Sequence, residues 1–438
     1  MVRSRLKLSA LTGAVFATAF TPYALAQQSL AGSTRPLASC VALTESTLAR
    51  PAGPMIDARI AMTDTGGAVT AMWDFLDSSE GLERWGGYAS WSGPLPRQPL
   101  TLDQNIVGGA CAPNVELRAT VFSGQACLMS YAVHPPQPGR NDPLIQYGVS
   151  FDRPSSATVF AERIAVARFA EAHTDRASYI AVMGQRARNF GGTCDLEDRW
   201  QGNPVAPDAP FDLRLITFAP RQAPRSHSLF TQPATVPPGA TPSLGTSTPA
   251  IALAVGSEGG LVLWVQDVTL YALSFGLQGT PDGPPRPLST GVLGAPTVVA
   301  RGRGFEAAWS DLDAATNRYK LVGASFSERQ STPPSIVLSS PPTLDSFAPA
   351  VSMQGSRIVL AWSEGSLRGT TSIRAGSSTQ SLALAASTAG IIGPRRGSRR
   401  DPELASTSTQ TWLLVQQFGR GSPRNGLLRL ATLRCEGQ

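Results

Sequence analysis

The sequence predicts an almost wholly β-stranded protein made of repeated units, and three observations carry that expectation. First, a turn-flanked unit recurs: Pro249, Pro296, Pro349 and Pro402 open short apolar strands, a Gly-rich turn follows, and Trp264, Trp309 and Trp362 close the next apolar run in the first three copies. Second, 42 Gly and 36 Pro supply the punctuation of many short strands. Third, no long stretch repeats an apolar face at helical spacing. A chain of 438 residues is too long for one ordinary core. A repeat array removes that difficulty, because each unit buries its apolar face against its neighbours.

Taken in order, the chain begins with an export signal over residues 1–26. Arg3, Arg5 and Lys7 precede an apolar run from Leu8 to Phe20, and Ala24-Leu25-Ala26 offers small residues before Gln27. Ser4 separates the two arginines, so no twin-arginine signal is present. The apolar run is short for a membrane span, and no other segment is long and apolar enough to be one. Residues 27–438 then read as a single domain.

The clearest unit is Ala295–Ala300, the turn Arg301-Gly302-Arg303-Gly304, and Phe305–Trp309. A third strand follows at Tyr319–Phe326 and a fourth at Ser335–Ser339. The same order recurs upstream. Arg59–Met62, Ala71–Trp73 and Gly87–Trp91 form a first copy. Ala112–Val115 opens a second, whose third strand is Leu144–Phe151. Arg163–Val166, a longer turn, Tyr179–Met183 and Leu213–Phe218 make a third. Third strands end on a hydroxyl residue and an aromatic at Ser90-Trp91, Ser150-Phe151, Thr217-Phe218, Ser274-Phe275 and Ser325-Phe326, while the sixth copy's third strand is hard to place near Ser372-Ile373. Openings near 58, 113, 162, 249, 296, 349 and 402 define seven copies. A Pro/Ser/Thr-rich insertion at 220–248, expected to be extended and solvated, separates the third from the fourth.

Four antiparallel strands in about 50 residues is the size of one propeller blade. These features resemble the β-propeller superfold over nearly the whole mature chain. The motifs of the WD-repeat, kelch and sialidase-type families are absent, so no family's functional residues carry over. The resemblance implies an all-β propeller of seven four-stranded blades, and a ring must join its ends because an open one exposes strand edges. The last copy reaches its third strand at Leu427–Leu433 and has no room for a fourth before Gln438. Thr34–Ser39 resembles Pro285–Thr290, which follows a third strand, so the N-terminal segment is expected to complete the last blade.

That placement puts Cys40 beside Cys435 and predicts a disulfide that staples the ring. A competing reading takes Leu37-Ala38-Ser39-Cys40 as a lipobox, which the polar residues Gln27, Gln28, Ser33 and Arg35 disfavour by parting it from the apolar run. Of the other cysteines, Cys111 pairs with Cys194 or with Cys127, or Cys127 stays a buried thiol.

The sequence points more weakly to chemistry. The signal holds three of the 37 basic residues, so the mature chain is only about +3, little reason to expect an anionic partner. The dense stretch Arg395-Arg396-Gly397-Ser398-Arg399-Arg400 reads as a solvated loop, without the aromatic platforms of nucleic-acid binding. His134, His173 and His227 stand alone, and no metal or cofactor is expected. Asp74, Asp267, Asp311 and Glu364 recur close after the strand-ending tryptophans. They form either an acidic rim on one face or a set of turn-stabilising carboxylates. The tryptophans read as core between blades. The loop 184–210, with Cys194, Asp198 and Trp200, joins Asp77 and Trp85 of the first copy on the expected ligand face. Three functions compete: an exported, monomeric, non-catalytic binder of a protein or glycan, a glycoside hydrolase or lyase using those carboxylates, and an envelope-associated scaffold.

Overall fold

Strands arise here because apolar residues come in short runs bounded by Gly, Pro and Asx turns, and each run finds a partner sheet on both sides. The computed structural model describes residues 35–50, 55–62, 69–77, 83–91, 116–122, 125–134, 144–151, 158–162, 165–174, 177–185, 192–194, 200–202, 211–218, 225–232, 250–266, 268–327, 335–339, 343–367, 369–382, 385–386, 390–392, 398–419 and 422–436. The signal at 1–26, and with it Gln27 and Gln28, lies outside them. Residues 33–438 form one compact unit.

The described strands fall into successive antiparallel meanders, each in chain order. Met55–Met62, Val69–Asp77 and Glu83–Trp91 make the first sheet. Glu116–Phe122, Gln125–His134, Leu144–Phe151 and Thr158–Glu162 make the second. Ala165–His173, Ser178–Gln185, Phe211–Phe218 and Arg225–Gln232 make the third. The fourth is Ala250–Val255, Gly259–Gln266, Thr269–Gly276 and Arg286–Thr290. The fifth is Val292–Arg301, Gly304–Asp313, Arg318–Ser327 and Ser335–Ser339.

The sixth and seventh meanders are joined through a strand from the other end of the chain. Asp345–Gln354, Arg357–Gly365 and Thr371–Ser378 open the sixth. Ser398–Ser406, Thr411–Gly419 and Ser422–Cys435 open the seventh. The N-terminal strand Ala38–Ala49 first touches the sixth, with Ala38 opposite Ser377 and Ser39 opposite Gly376, and then runs along the seventh from Cys40 opposite Cys435 to Ala49 opposite Leu428.

Side-chain alternation explains why the second strands are apolar throughout. In Gly259–Gln266, Val262 and Trp264 pack toward the third sheet while Leu261 and Leu263 pack toward the fifth. In Arg357–Gly365, Ile358, Leu360 and Trp362 face the fifth sheet, and Val359 and Ala361 face the seventh. A strand buried on both faces reads as a continuous apolar run rather than an alternating one. Trp264, Trp309 and Trp362 each sit buried against the preceding sheet, as core. Glycine at the start of the second strand has a steric cause. A Cβ on Gly260 would collide with the Phe275 ring, and one on Gly304 with the carbonyl oxygen of Phe326. At Gly260 the aromatic that ends the third strand excludes a side chain, whereas at Gly304 the backbone of the partner strand does so.

Several expectations change. The repeat prolines at 296, 349 and 402 do not open their strands but lie within them, where the pairing shifts between Leu293 and Thr297, Phe347 and Ala350, and Arg400 and Glu403. A bulge leaves a residue unpaired, so the missing proline N–H costs no ladder bond. In the third sheet the first strand runs on to His173, and a tight turn closed by the Thr174 N–H to the Ala177 carbonyl (3.0 Å) replaces the longer turn expected there. The expected solvated insertion contains that sheet's outer strand, Arg225–Gln232, which pairs along Phe211–Phe218 and buries Leu229. The sixth copy's third strand, Thr371–Ser378, escaped clear assignment because it buries Ile373 and Ala375 among hydroxyl residues. The strand that completes the last sheet is Cys40–Ala49 rather than Thr34–Ser39. Residues 35–39 reach instead toward the sixth sheet, with Leu37 buried among Leu338, Leu360 and Trp362. Arg399, expected in a solvated loop, is 3% exposed.

Candidate functional site

In an antiparallel meander the chain reverses at each turn, so the loop after the second strand and the connection to the next sheet leave at the same end. The opposite end carries tight turns such as Phe122 to Gln125, Val255 to Gly259, Arg301 to Gly304 and Gln354 to Arg357. The first end is less regular. It holds the passage from Gln185 to Phe211 in the third sheet, within which Gly192–Cys194 and Trp200–Gly202 pair as a small ribbon with Cys194 opposite Trp200.

The predicted carboxylates are distributed unevenly at this irregular end. Asp74 lies within its second strand, opposite Asp57 on one side and Gly86 on the other, and Asp77 lies opposite Glu83. Trp85 pairs opposite Phe75. Asp198, Asp267 and Cys111 lie outside the described residues. Asp311 and Glu364, with their side chains described, also sit inside second strands rather than after them.

Glu364 is 5% exposed, and Oε1 accepts a bond from Arg374 Nε at 2.7 Å. A buried carboxylate in that position ties the second strand of the sixth sheet to the third. Asp345 does similar work between sheets: it accepts the Tyr319 N–H at 3.0 Å and Arg318 Nη1 at 3.3 Å, anchoring the fifth sheet's turn. Glu306 accepts Arg301 Nη1 at 3.1 Å, the Ser325 hydroxyl at 2.5 Å and the Leu382 N–H at 2.9 Å, fixing the far connection of the sixth sheet onto the fifth. Sequence patterning did not single out Asp345 or Glu306, because a carboxylate that bonds a neighbouring sheet has no local signature.

Asp311 differs from these. It stands opposite Lys320, accepts a hydrogen bond from Ser289 of the fourth sheet, and leaves Oδ1 buried without a partner. Burial pushes its carboxyl above the usual carboxylate range, against the opposing pull of Ser289 and Lys320. Two residues on, Asp313 caps the turn to Arg318, accepting Thr316 Oγ1 at 2.9 Å and the Ala315 N–H at 3.2 Å, and these bonds hold it below its ordinary value. Beside this pair, Val268 takes a positive φ of 62° and is 60% exposed, and its carbonyl accepts the N–H groups of Gly291 (2.8 Å) and Val292 (2.9 Å). A β-branched residue in that conformation is strained, and the two bonds hold it there.

The cysteine expected to close the chain on itself does so: Cys40 and Cys435 form a disulfide across a sequence separation of 395. Farther along the N-terminal strand, Arg399 and Arg429 of the seventh sheet, bridged by Gln417, bond to it. Arg399 Nη2 donates to Glu45 Oε1 at 2.6 Å and to Gln417 Oε1 at 3.3 Å, and Arg429 donates to Gln417 Oε1 at 3.1 Å and to Thr47 Oγ1 at 2.6 Å. Among the described residues no group of three His, Cys, Asp or Glu side chains is placed to hold a metal, and no helix is long and apolar enough to cross a membrane.

No family model matches the chain, and no curated protein matches it in sequence. Solved structures do. It is similar to a protein of unknown function from Dyadobacter fermentans, at 8% identity and a TM-score of 0.43, covering 91% of this chain and 100% of that one. It is similar to the hemagglutinin-neuraminidase ectodomain of parainfluenza virus 5, at 10% identity and a TM-score of 0.43, covering 92% and 85%. It is also similar to the Cps50 (Swd1) β-propeller domain of Myceliophteria thermophila, at 9% identity and a TM-score of 0.41, covering 86% and 99%.

Proposed function

We propose that the protein is an exported, seven-bladed β-propeller that binds a protein or glycan through the loops of one face and catalyses no reaction on it. The observation that carries this reading is the long passage from Gln185 to Phe211 in the third sheet, which holds its own ribbon at the place where the fourth sheet has only the short turn from Gln266 to Thr269. Variable loops on a regular scaffold are where recognition concentrates. The seven-fold count is supported by the opening strands, each of which neighbours the next from Met55–Met62 through to Ser398–Ser406, which lies in turn beside Met55–Met62. Export is supported by the signal-like residues 1–26 and by a disulfide, which persists in oxidising compartments. The ligand face comprises Asp74, Asp77, Trp85, Asp198, Trp200, Asp267 and Asp311, with Glu364 bracing it from beneath through Arg374.

The second reading, a glycoside hydrolase, is favoured by one observation. Burial raises the Asp311 carboxyl while the turn bonds to Asp313 lower its own, and paired carboxylates whose environments diverge in this way are a pattern of acid and base assignment. Glycan-array binding and hydrolysis assays on the Asp74→Ala, Asp267→Ala and Asp311→Asn variants separate the two. Binding without turnover supports the module; turnover lost on one substitution supports the enzyme. Neither binding nor turnover leaves an envelope scaffold.

A further inference from the structure

We propose that residues 35–49 form a clasp that docks from its tethered end, and that a disulfide-bearing oxidant of the export compartment must act on Cys40 before its free end closes. Three observations carry this. Cys40 is 0% and Cys435 1% exposed, enclosed by Val359, Ala361, Ile373 and Val415 at the contact of the sixth and seventh sheets. An oxidant cannot touch a sulfur atom in that position, so the bond is made while the strand is partly undocked. The bonds from Arg399 and Arg429 lie at the other end of the clasp, on Glu45 and Thr47, close to where the chain enters Met55–Met62. Residues beyond Cys40 then reach the sixth sheet, with Ala38 opposite Ser377 and Leu37 buried toward the fifth.

The order follows from the tether. Glu45 and Thr47 are held near their partners by the connection to Met55, so they set the register, and Cys40 on the free end frays and is exposed. Its thiolate attacks one sulfur of the oxidant's disulfide, releasing one thiol and leaving a mixed disulfide. The Cys435 thiolate then attacks the Cys40 sulfur and expels the second thiol. Two electrons pass to the oxidant, and the two cysteine protons are taken up by the released thiolates or by solvent. Leu37 seals the site afterwards. The ladder also guards against pairing of Cys40 with Cys111, Cys127 or Cys194.

Two measurements test it on the full mature chain. Native oxidised protein is treated with dithiothreitol, trapped by alkylation and read by mass spectrometry. The rate of Cys40–Cys435 cleavage should level off as reductant rises, because opening limits it, and Leu37→Ala should raise the plateau. A rate that stays proportional to reductant, as for an exposed disulfide, overturns the burial argument. The reduced chain is then refolded with oxidised glutathione as the oxidant. Glu45→Ala should form the native bond about tenfold more slowly and accumulate other pairings, in keeping with loss of a charge-assisted bond. An unchanged rate and pairing pattern overturns the docking order, whatever the stability of the variant.

Discussion

The fourth and seventh sheets achieve the same four-stranded arrangement by opposite means. In the fourth, all four strands are consecutive, and the short turns from Val255 to Gly259 and from Gln266 to Thr269 set the register of the first three. Its stability is apolar: Trp264 lies stacked on Tyr271 with ring centroids 5.4 Å apart, and Phe275 rests on the bare backbone of Gly260. The seventh takes its outer strand from the other end of the chain, so no turn sets the register. A slip of one residue would turn every side chain to the wrong face. There the sheet uses directional contacts, Arg399 to Glu45 and Arg429 to Thr47, together with a covalent bond. Apolar packing excludes a one-residue slip because of that alternation, but it does not by itself bring the distant strand into place. Charge and covalency hold it there.

The sharpest way to break that comparison is to cut the covalent link. Cys435→Ser should lower unfolding stability by about 6 kcal/mol in the loop-closure model, since the bond closes nearly the whole chain. Equilibrium denaturation under oxidising conditions reads it, and a loss below about 1 kcal/mol would mean the charges alone hold the strand. In the fourth sheet Trp264→Ala should cost about 3 to 5 kcal/mol, with no effect on protease cleavage of the N-terminal strand. Next in size, Glu45→Ala leaves the Arg399 guanidinium buried without its carboxylate. Because Glu45 is 29% exposed, the loss should be about 1 to 2 kcal/mol, and limited proteolysis should find the N-terminal strand released first.

The smallest effect concerns Asp311 between the fourth and fifth sheets. Its folded carboxyl titrates above the ordinary value of 3.8, so the folded protein holds the proton more tightly than the unfolded chain. The contribution of Asp311 to stability is therefore fully present below 3.8 and is lost as pH rises through the folded value, where the carboxyl ionises in its partly buried place. Asp311→Asn should remove that part of the decline, so that melting temperatures of variant and wild type, measured from about pH 3 to about pH 7, diverge in favour of the variant as pH rises. Curves that stay parallel would show that Asp311 is solvated in the folded protein.

Much of the molecule was legible locally. The unit at 295–339 was read nearly strand for strand, because its strands, turns and aromatic ends are set by residues within a few positions of one another. The tryptophans were read as core for the same reason: apolar runs that end in Trp have nowhere to go but inward. The bulged prolines were misplaced because a bulge exists only in relation to the partner strand. Arg225–Gln232 reads locally as linker because Pro, Ser and Thr around it mask two apolar residues, Leu229 and Phe230, that pack only once Phe211–Phe218 is beside them.

The candidate site was less legible still. Glu364 and Asp311 occupy the same place in their repeats, yet one is locked to Arg374 and the other has a carboxylate oxygen with no partner. What separates them is the residue that the paired third strand of each sheet brings alongside, Arg374 in one and Lys320 in the other, which the period of the repeat does not fix. Sequence alone determined the β class, the repeat, the core tryptophans and the meeting of Cys40 with Cys435, since each follows from short-range pattern or from the need to pair an edge. Only the tertiary structure decided which residues make that closing strand, how far it reaches past the last sheet, and which charges hold it. Those contacts join residues more than three hundred positions apart, as between Glu45 and Arg399 with a separation of 354, and nothing in the local chain records a partner at that distance.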